Sequence, residues 1–136
     1  MNTIKKVFLI DDDPVTNMIN TKLLSKSYNF NILTYTNAQE ALDHLLRFVV
    51  SNPDEFPDII FLDVNMPVMD GWEFLETFQK LPAEILVKCS VFMLTSSIDL
   101  EDVEKSRLYF CVCEFISKPL TSDKLESLLQ KKHQLD

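Results

Sequence analysis

Residues 59–75 read IIFLDVNMPVMDGWEFL. Four apolar residues, Ile59 to Leu62, run without interruption into one carboxylate, Asp63, and apolar residues at helical spacing follow at Phe74, Leu75 and Phe78. An unbroken apolar run of this length is the mark of a strand buried on both faces of a parallel sheet, whereas a half-exposed strand alternates. The same construction recurs along the chain. VFLI is followed by Asp11, Asp12 and Asp13, VFML by Thr95, and EFIS by Lys118 and Pro119. If these runs are parallel strands, Asp11, Asp12, Asp63, Thr95 and Lys118 gather at one edge of the sheet, which reads as a single phosphate and metal site.

Apolar runs at 4–10, 31–36, 58–62, 90–94 and 112–116 alternate with segments of helical period: Val15, Ile19 and Leu23; Ala41, Leu42, Leu45, Leu46 and Val49; Phe74, Leu75 and Phe78; Leu125, Leu128 and Leu129. Asp13 before Pro14 is a helix start, Asn37 with Glu40 three residues on resembles a capping box, and Thr121 or Ser122 can cap the last helix. The helix near 98–108 is crowded by Asp99, Glu101, Asp102, Glu104, Lys105 and Arg107 and is expected to be the most exposed. The pattern is α/β with right-handed crossovers, helices on both faces, and ligands bound beyond the carboxyl ends of the strands.

At 136 residues with 46% apolar content the chain has the material for one domain and a real core. A formal net charge of -8 disfavours direct binding to nucleic acid or to an anionic lipid surface. No apolar stretch approaches the roughly 20 residues of a membrane span, and the amino terminus lacks a signal peptide, so a cytoplasmic protein is expected. One domain over 1–136 with no output module is the expected organisation. Cys89, Cys111 and Cys113 form no metal-binding pair and read as reduced, buried thiols, while His44 and His133 read as solvated side chains. Phe30, Trp72, Phe74 and Phe110 read as core or helix packing.

Two adjacent carboxylates at one strand end and a third from a neighbouring strand crowd negative charge that a hard cation would compensate. Mg²⁺ suits few carboxylates, a backbone carbonyl and retained waters. Asp63 could then attack a phosphoryl donor, Lys118 balance the charge of the transferred group, and Thr95 donate a hydrogen bond to it.

With these residues assembled, the chain resembles the receiver domains of two-component response regulators, CheY-like and stand-alone, from about Ile4 to the final helix. FLIDDDP resembles the family's acidic pair, IIFLDVNMPVMDGWEFL its phosphoacceptor segment, VFMLTSS its hydroxyl segment and FISKP its lysine segment. The resemblance implies a flavodoxin-like sheet of order 2-1-3-4-5 with five helices. It further implies Asp63 as the phosphorylated residue; Asp11, Asp12, Asp63 and the Asn65 carbonyl as Mg²⁺ ligands; and a cis bond before Pro119. Phe115 becomes an aromatic switch coupled to Thr95, and Asn65 and Ser97 flank the path of attacking water. A sensor histidine kinase or histidine phosphotransfer protein is the implied donor, with an unidentified downstream protein as target. The protein would be a monomer or a weak, phosphorylation-linked dimer, and no turnover enzyme beyond its own phosphotransfer and dephosphorylation.

The chain departs from that family at Leu108–Cys113, where a glycine and a small residue are common, and its only glycine is Gly71. Phe48–Pro57 and Leu81–Lys88 are generous connections, read as padding or as extra partner contacts. Two alternatives remain: a receiver-like scaffold that works without phosphate, and a haloacid-dehalogenase-type phosphatase with Asp11 as nucleophile and Asp13 as acid. The second leaves Asp63 without a role.

Overall fold

The computed structural model describes residues 5–135, with side chains as far as Gln130; Ile4, expected in the first strand, and the side chain of His133 lie outside what is described. Five strands alternate with helices: β1 Lys6–Ile10, α1 Pro14–Ser27, β2 Asn31–Tyr35, α2 Ala38–Ser51, β3 Ile59–Asp63, α3 Gly71–Phe78, α4 Ala83–Leu86, β4 Ser90–Thr95, α5 Leu100–Ser106, β5 Val112–Ser117 and α6 Ser122–Leu135. All strand pairs are parallel, in the order β2-β1-β3-β4-β5. The expected flavodoxin-like architecture is therefore present, with one short helix more than the five expected. That extra turn, α4, lies in the Leu81–Lys88 connection and buries Leu86. A 3-10 turn at Pro53–Glu55 folds the Phe48–Pro57 connection, where Phe56 stacks on Phe78 at 6.1 Å. Both connections thus contribute packed side chains to the core.

Side chains alternate across the three central strands. Phe8, Ile10, Ile60, Leu62, Val91 and Met93 join one core with α2 and α3, while Val7, Leu9, Ile59, Phe61, Phe92 and Leu94 join the other with Leu24 of α1 and Leu125 and Leu128 of α6. A strand covered on both faces must be apolar on both, which is why β1, β3 and β4 read as continuous runs. Edge strand β2 is mostly exposed and β5 half-buried. The β4–β5 register slips between Val91, paired with Val112, and Phe92, paired with Glu114, so Cys113 is the extra residue of a bulge. It is exposed, contrary to the expectation for all three thiols, while Cys89 and Cys111 are buried.

Asp13 caps α1 by accepting from the Val15 N–H, Asn37 caps α2 from the Glu40 N–H, and Asp70 with Glu73 forms a full capping box on α3. Thr121 accepts from the Lys124 N–H at the start of α6. The face of α1 differs from expectation. Val15 and Ile19 are exposed, at 54% and 56%, and the buried residues are Asn17, Asn20 and Leu24. This helix is anchored by polar contacts at the strand ends, and the expected stripe divides: Val15 and Ile19 face outward while Leu23 packs against the core. Phe110 is also 65% exposed instead of packed in the core. His44 is half-buried rather than solvated, within 2.7 Å of the Tyr35 hydroxyl. Leu46 lies near the edge of the buried face of α2, which is made by Ala38, Ala41, Leu42 and Leu45. As expected, α5 is solvent-facing, with Ser106 its one buried residue. Among the described residues no helix is long and apolar enough to cross a membrane.

The β3–α3 connection carries two backbone constraints. A Cβ on Gly71 would come within 2.8 Å of the Asp63 carbonyl oxygen, a backbone atom that cannot yield easily, so only glycine lets α3 start this close to β3. Val68 takes φ 69°, a left-handed conformation that a β-branched residue adopts at a cost of about 1–2 kcal/mol. Its side chain is 95% exposed and gains nothing from burial in return. Val68→Asn is therefore expected to stabilise the fold by roughly 1 kcal/mol and to raise Tm by about 3 °C; an unchanged or lowered Tm in thermal unfolding contradicts this reading.

Candidate functional site

The registers decide which side chains meet. Ile10 pairs with Leu62, Asp63 with Leu94, and Thr95 with Ser117. The residues that leave β1, β3, β4 and β5 at their carboxyl ends are consequently brought to one rim of the sheet. Strand order reverses at β1, where chain crossings leave in opposite directions and open a crevice at that rim.

Asp11 and Asp63 are almost fully buried, at 3% and 4% exposure, and Asp12 is exposed. Oxygen atoms of the three carboxylates lie within 4.8 Å of one another. The Lys118 ammonium reaches between two of them, 2.8 Å from Asp11 Oδ2 and 3.3 Å from Asp63 Oδ1. The Asp13 N–H donates to Asp11 Oδ1 at 2.9 Å, and the Asn65 N–H donates to Asp63 Oδ1 at 3.3 Å. Lys118 is itself anchored by its main chain, whose N–H donates to the Thr95 carbonyl at 2.7 Å, and the Lys118–Pro119 bond is cis.

Burial pushes the Asp63 carboxyl up, the Asp11 charge adds to this, and Lys118 and the Asn65 N–H pull back without cancelling it, so its pKa stands at about 6. For Lys118, burial works against the charge, but the hydrogen bond and charge of Asp11 and then the charge of Asp63 outweigh it and hold the ammonium above its ordinary value. The pair is thus over-supplied with carboxylate and short of positive charge. Three clustered carboxylates served by one ammonium match the donor set of a hard divalent cation, which takes oxygen ligands.

Of the residues singled out in the sequence, Asp11, Asp12, Asp63, Asn65 and Lys118 meet directly at this rim. Thr95 is buried beside them, but its hydroxyl donates to the Ser97 carbonyl at 3.0 Å and accepts from the Ser97 N–H at 3.2 Å. Phe115 is half-buried, with its ring 6.2 Å from that of Trp72 and nearly parallel to it. Trp72 stacks in turn on Tyr109 at 5.9 Å and carries Lys105 over its ring at 4.9 Å. Asp13 stays out of the site: its carboxylate caps α1 and takes the Thr16 hydroxyl, which removes the acid that a dehalogenase-type phosphatase would need.

One residue at the rim escaped the sequence reading. Asn17, buried on α1, donates through Nδ2 to the Asp11 carbonyl and to the Tyr35 carbonyl, each at 3.1 Å. The available signal was an asparagine, a poor helix former, inside a helical segment.

The profile of the response regulator receiver domain matches residues 7–130. A probable C4-dicarboxylate response regulator, DctR, of Halalkalibacterium halodurans is 27% identical over 124 residues, covering 91% of this chain and 49% of that protein. The chain spans about half the length of that curated relative. A two-component response regulator structure from Cytophaga hutchinsonii superposes with a TM-score of 0.85 at 32% identity, covering 96% of this chain and 97% of that one. A response regulator receiver protein from Dyadobacter fermentans gives 0.78 at 30% identity, covering 93% and 95%. With a matching profile over nearly its whole length, the same sheet order and an acidic pocket that fits a phosphorylation site, the chain belongs to the response regulator receiver domain family, the signal-receiving module of two-component phosphorelays.

Proposed function

We propose that Asp63 accepts a phosphoryl group from a phosphohistidine on a sensor histidine kinase or histidine phosphotransfer protein, and that the new charge switches a protein-binding surface. The observation that carries this reading is the Lys118 ammonium held between Asp11 and Asp63 at the carboxyl rim of the sheet. The ammonium that now meets the Asp63 carboxylate is placed to meet the oxygens of a phosphoryl group carried on it. In the transfer, an Asp63 carboxylate oxygen bonds to phosphorus as the phosphorus–nitrogen bond of the donor breaks. The electron pair stays on the imidazole nitrogen, which then takes a proton from solvent, and an acyl phosphate remains on Asp63.

Asp11, Asp12 and Asp63, with the main-chain carbonyl of Asn65, are the oxygen donors that would hold Mg²⁺, and the bound ion supplies positive charge to the phosphoryl oxygens. Lys118 would exchange part of its contact with Asp63 for one with the phosphoryl group. Thr95 would give up its Ser97 carbonyl partner and donate to a phosphoryl oxygen, moving the loop that leads into α5. Phe115, on the adjacent strand, would repack with that loop, so the partner-facing surface is that of α5, β5 and α6. Asn65 and Ser97, two residues beyond Asp63 and Thr95, border the approach of hydrolytic water. Signalling by transient association of the receiver domain with a partner protein fits this chemistry.

Two outcomes are expected. Intact-mass spectrometry after incubation with acetyl phosphate should show one added phosphoryl group that requires both Mg²⁺ and Asp63, and none on Asp63→Asn; an adduct that survives Asp63→Asn sinks the assignment, and no adduct on the wild type favours a phosphate-independent scaffold. Stability gives a second, independent readout. Because the folded Asp63 holds its proton up to about 6 against an ordinary 3.8, its ionisation penalises the fold as pH rises through that window. In the absence of divalent ions Asp63→Asn should therefore be more stable than wild type by roughly 1–2 kcal/mol at pH 7, solvent screening included, with the gain fading as pH falls through 6 toward 4. A difference in urea midpoints that does not change with pH contradicts this assignment.

A further inference from the structure

Asn17 occupies a place where its residue type needs a reason. It lies on the inner face of α1 at 3% exposure, where an apolar side chain would bury more favourably and asparagine is a weak helix former. Its amide nitrogen donates to two main-chain carbonyls, those of Asp11 and Tyr35, each at 3.1 Å. These are the carbonyls at which β1 and β2 stop. Ile10 and Tyr35 are the last paired residues of the β1–β2 ladder, and the Asp11 N–H still donates to the Tyr35 oxygen at 3.0 Å. Two acceptors facing one side chain demand the NH₂ end of an amide. Aspartate would set carboxylate oxygens against carbonyl oxygens, and leucine would leave both carbonyls without this donor.

The clamp bears on chemistry because of what Asp11 must do. Its carboxylate is held close to Asp63 although the two repel, and its two oxygens serve different partners, Lys118 through Oδ2 and the Asp13 N–H through Oδ1. That double engagement requires a fixed direction of the Asp11 Cα–Cβ bond, which is set by the peptide whose carbonyl Asn17 holds. The bonding of Asn17 is otherwise local to its helix: its main-chain N–H donates to the Asp13 carbonyl at 3.2 Å and its own carbonyl accepts from the Thr21 hydroxyl at 2.8 Å. Its Oδ1 is buried and has no partner among the described residues. The side chain thus accepts an unpaired oxygen in order to present both N–H groups to the strand ends.

From this we infer that Asn17 is a positioning residue of the cation site: it fixes the Asp11 main chain so that the three carboxylates meet in the arrangement a divalent ion takes up. The inference rests on the phosphotransfer reading, since it assigns Asn17 a part in the Mg²⁺ step of that reaction. Groups that hold a metal ligand in place commonly carry about 10–100-fold in metal affinity, which sets the expected effect.

The test is calorimetric titration of Mg²⁺ into EDTA-stripped protein, for wild type, Asn17→Leu, Asn17→Ala and Asn20→Leu, with urea unfolding of each. Asn20 is buried on the same face of α1, one turn on, and serves as the control for loss of a buried amide. Asn17→Leu is expected to weaken Mg²⁺ binding by roughly 10–100-fold, and Asn20→Leu to keep wild-type affinity whatever it does to stability. If Asn17→Leu does not fold, Asn17→Ala, which leaves space instead of bulk, is read in its place. Folded Asn17 variants that bind Mg²⁺ as tightly as wild type overturn the inference and leave the phosphotransfer reading standing, as does an equal loss in Asn20→Leu. A wild type that binds no Mg²⁺ overturns both.

Discussion

The interaction on which the rest of the structure depends is the triangle of Asp11, Lys118 and Asp63. Two carboxylates buried to within a few per cent of full cover and close to one another are unfavourable on their own account, both by desolvation and by mutual repulsion. Lys118 makes the arrangement tenable by reaching both, and loss of the lysine would cost on the order of 3–5 kcal/mol because it strands the two buried carboxylates. Lys118 leaves β5, while its partners leave β3 and β1, so the contact spans the sheet past β4. The strands must therefore end at matching levels. The β4–β5 bulge at Cys113 resets that register before Thr95 pairs with Ser117, and the Lys118 N–H then ties to the Thr95 carbonyl.

Compensation by one lysine is incomplete. A carboxyl at about 6 is one whose charge the protein does not fully support. Binding of a cation relieves that imbalance, whereas an acyl phosphate would add negative charge for the cation and Lys118 to meet. The fold thus holds an unsatisfied electrostatic demand at one rim, with Thr95 buried beside it. Further along, the Phe115–Trp72–Tyr109 stack joins β5, α3 and the segment after α5 into one aromatic contact.

The central strands and the rim were legible in the residues because their physics is local: an apolar run long enough to be buried on both faces, then a charge. β3 and β4 read directly for this reason, and the parallel registers then force Asp11, Asp63 and Lys118 together. α1 was not legible in the same way. Val15, Ile19 and Leu23 have helical spacing, yet the helix turns Asn17, Asn20 and Leu24 inward because two carbonyls at the strand ends need donors that no apolar residue has. Periodicity sees hydrophobicity and is blind to the main-chain carbonyls a buried amide can serve. The exposure of Cys113 and Phe110 escaped for a similar reason, since a bulge and the turn after a short helix are set by strand pairing and not by composition. His44 likewise reads as a surface residue until β2 brings Tyr35 against it.

The most direct test of the account is a crystal structure of the protein with Mg²⁺ and beryllium trifluoride, a phosphoryl mimic that binds carboxylate oxygen. The account predicts the mimic on an Asp63 oxygen, Lys118 Nζ within hydrogen-bond distance of a fluorine, the Thr95 hydroxyl turned away from Ser97 toward the mimic, and the cation among Asp11, Asp12, Asp63 and the Asn65 carbonyl. A mimic bound to Asp11 or Asp12, or a Thr95 hydroxyl still paired with Ser97 while Asp63 is fully occupied, would contradict it.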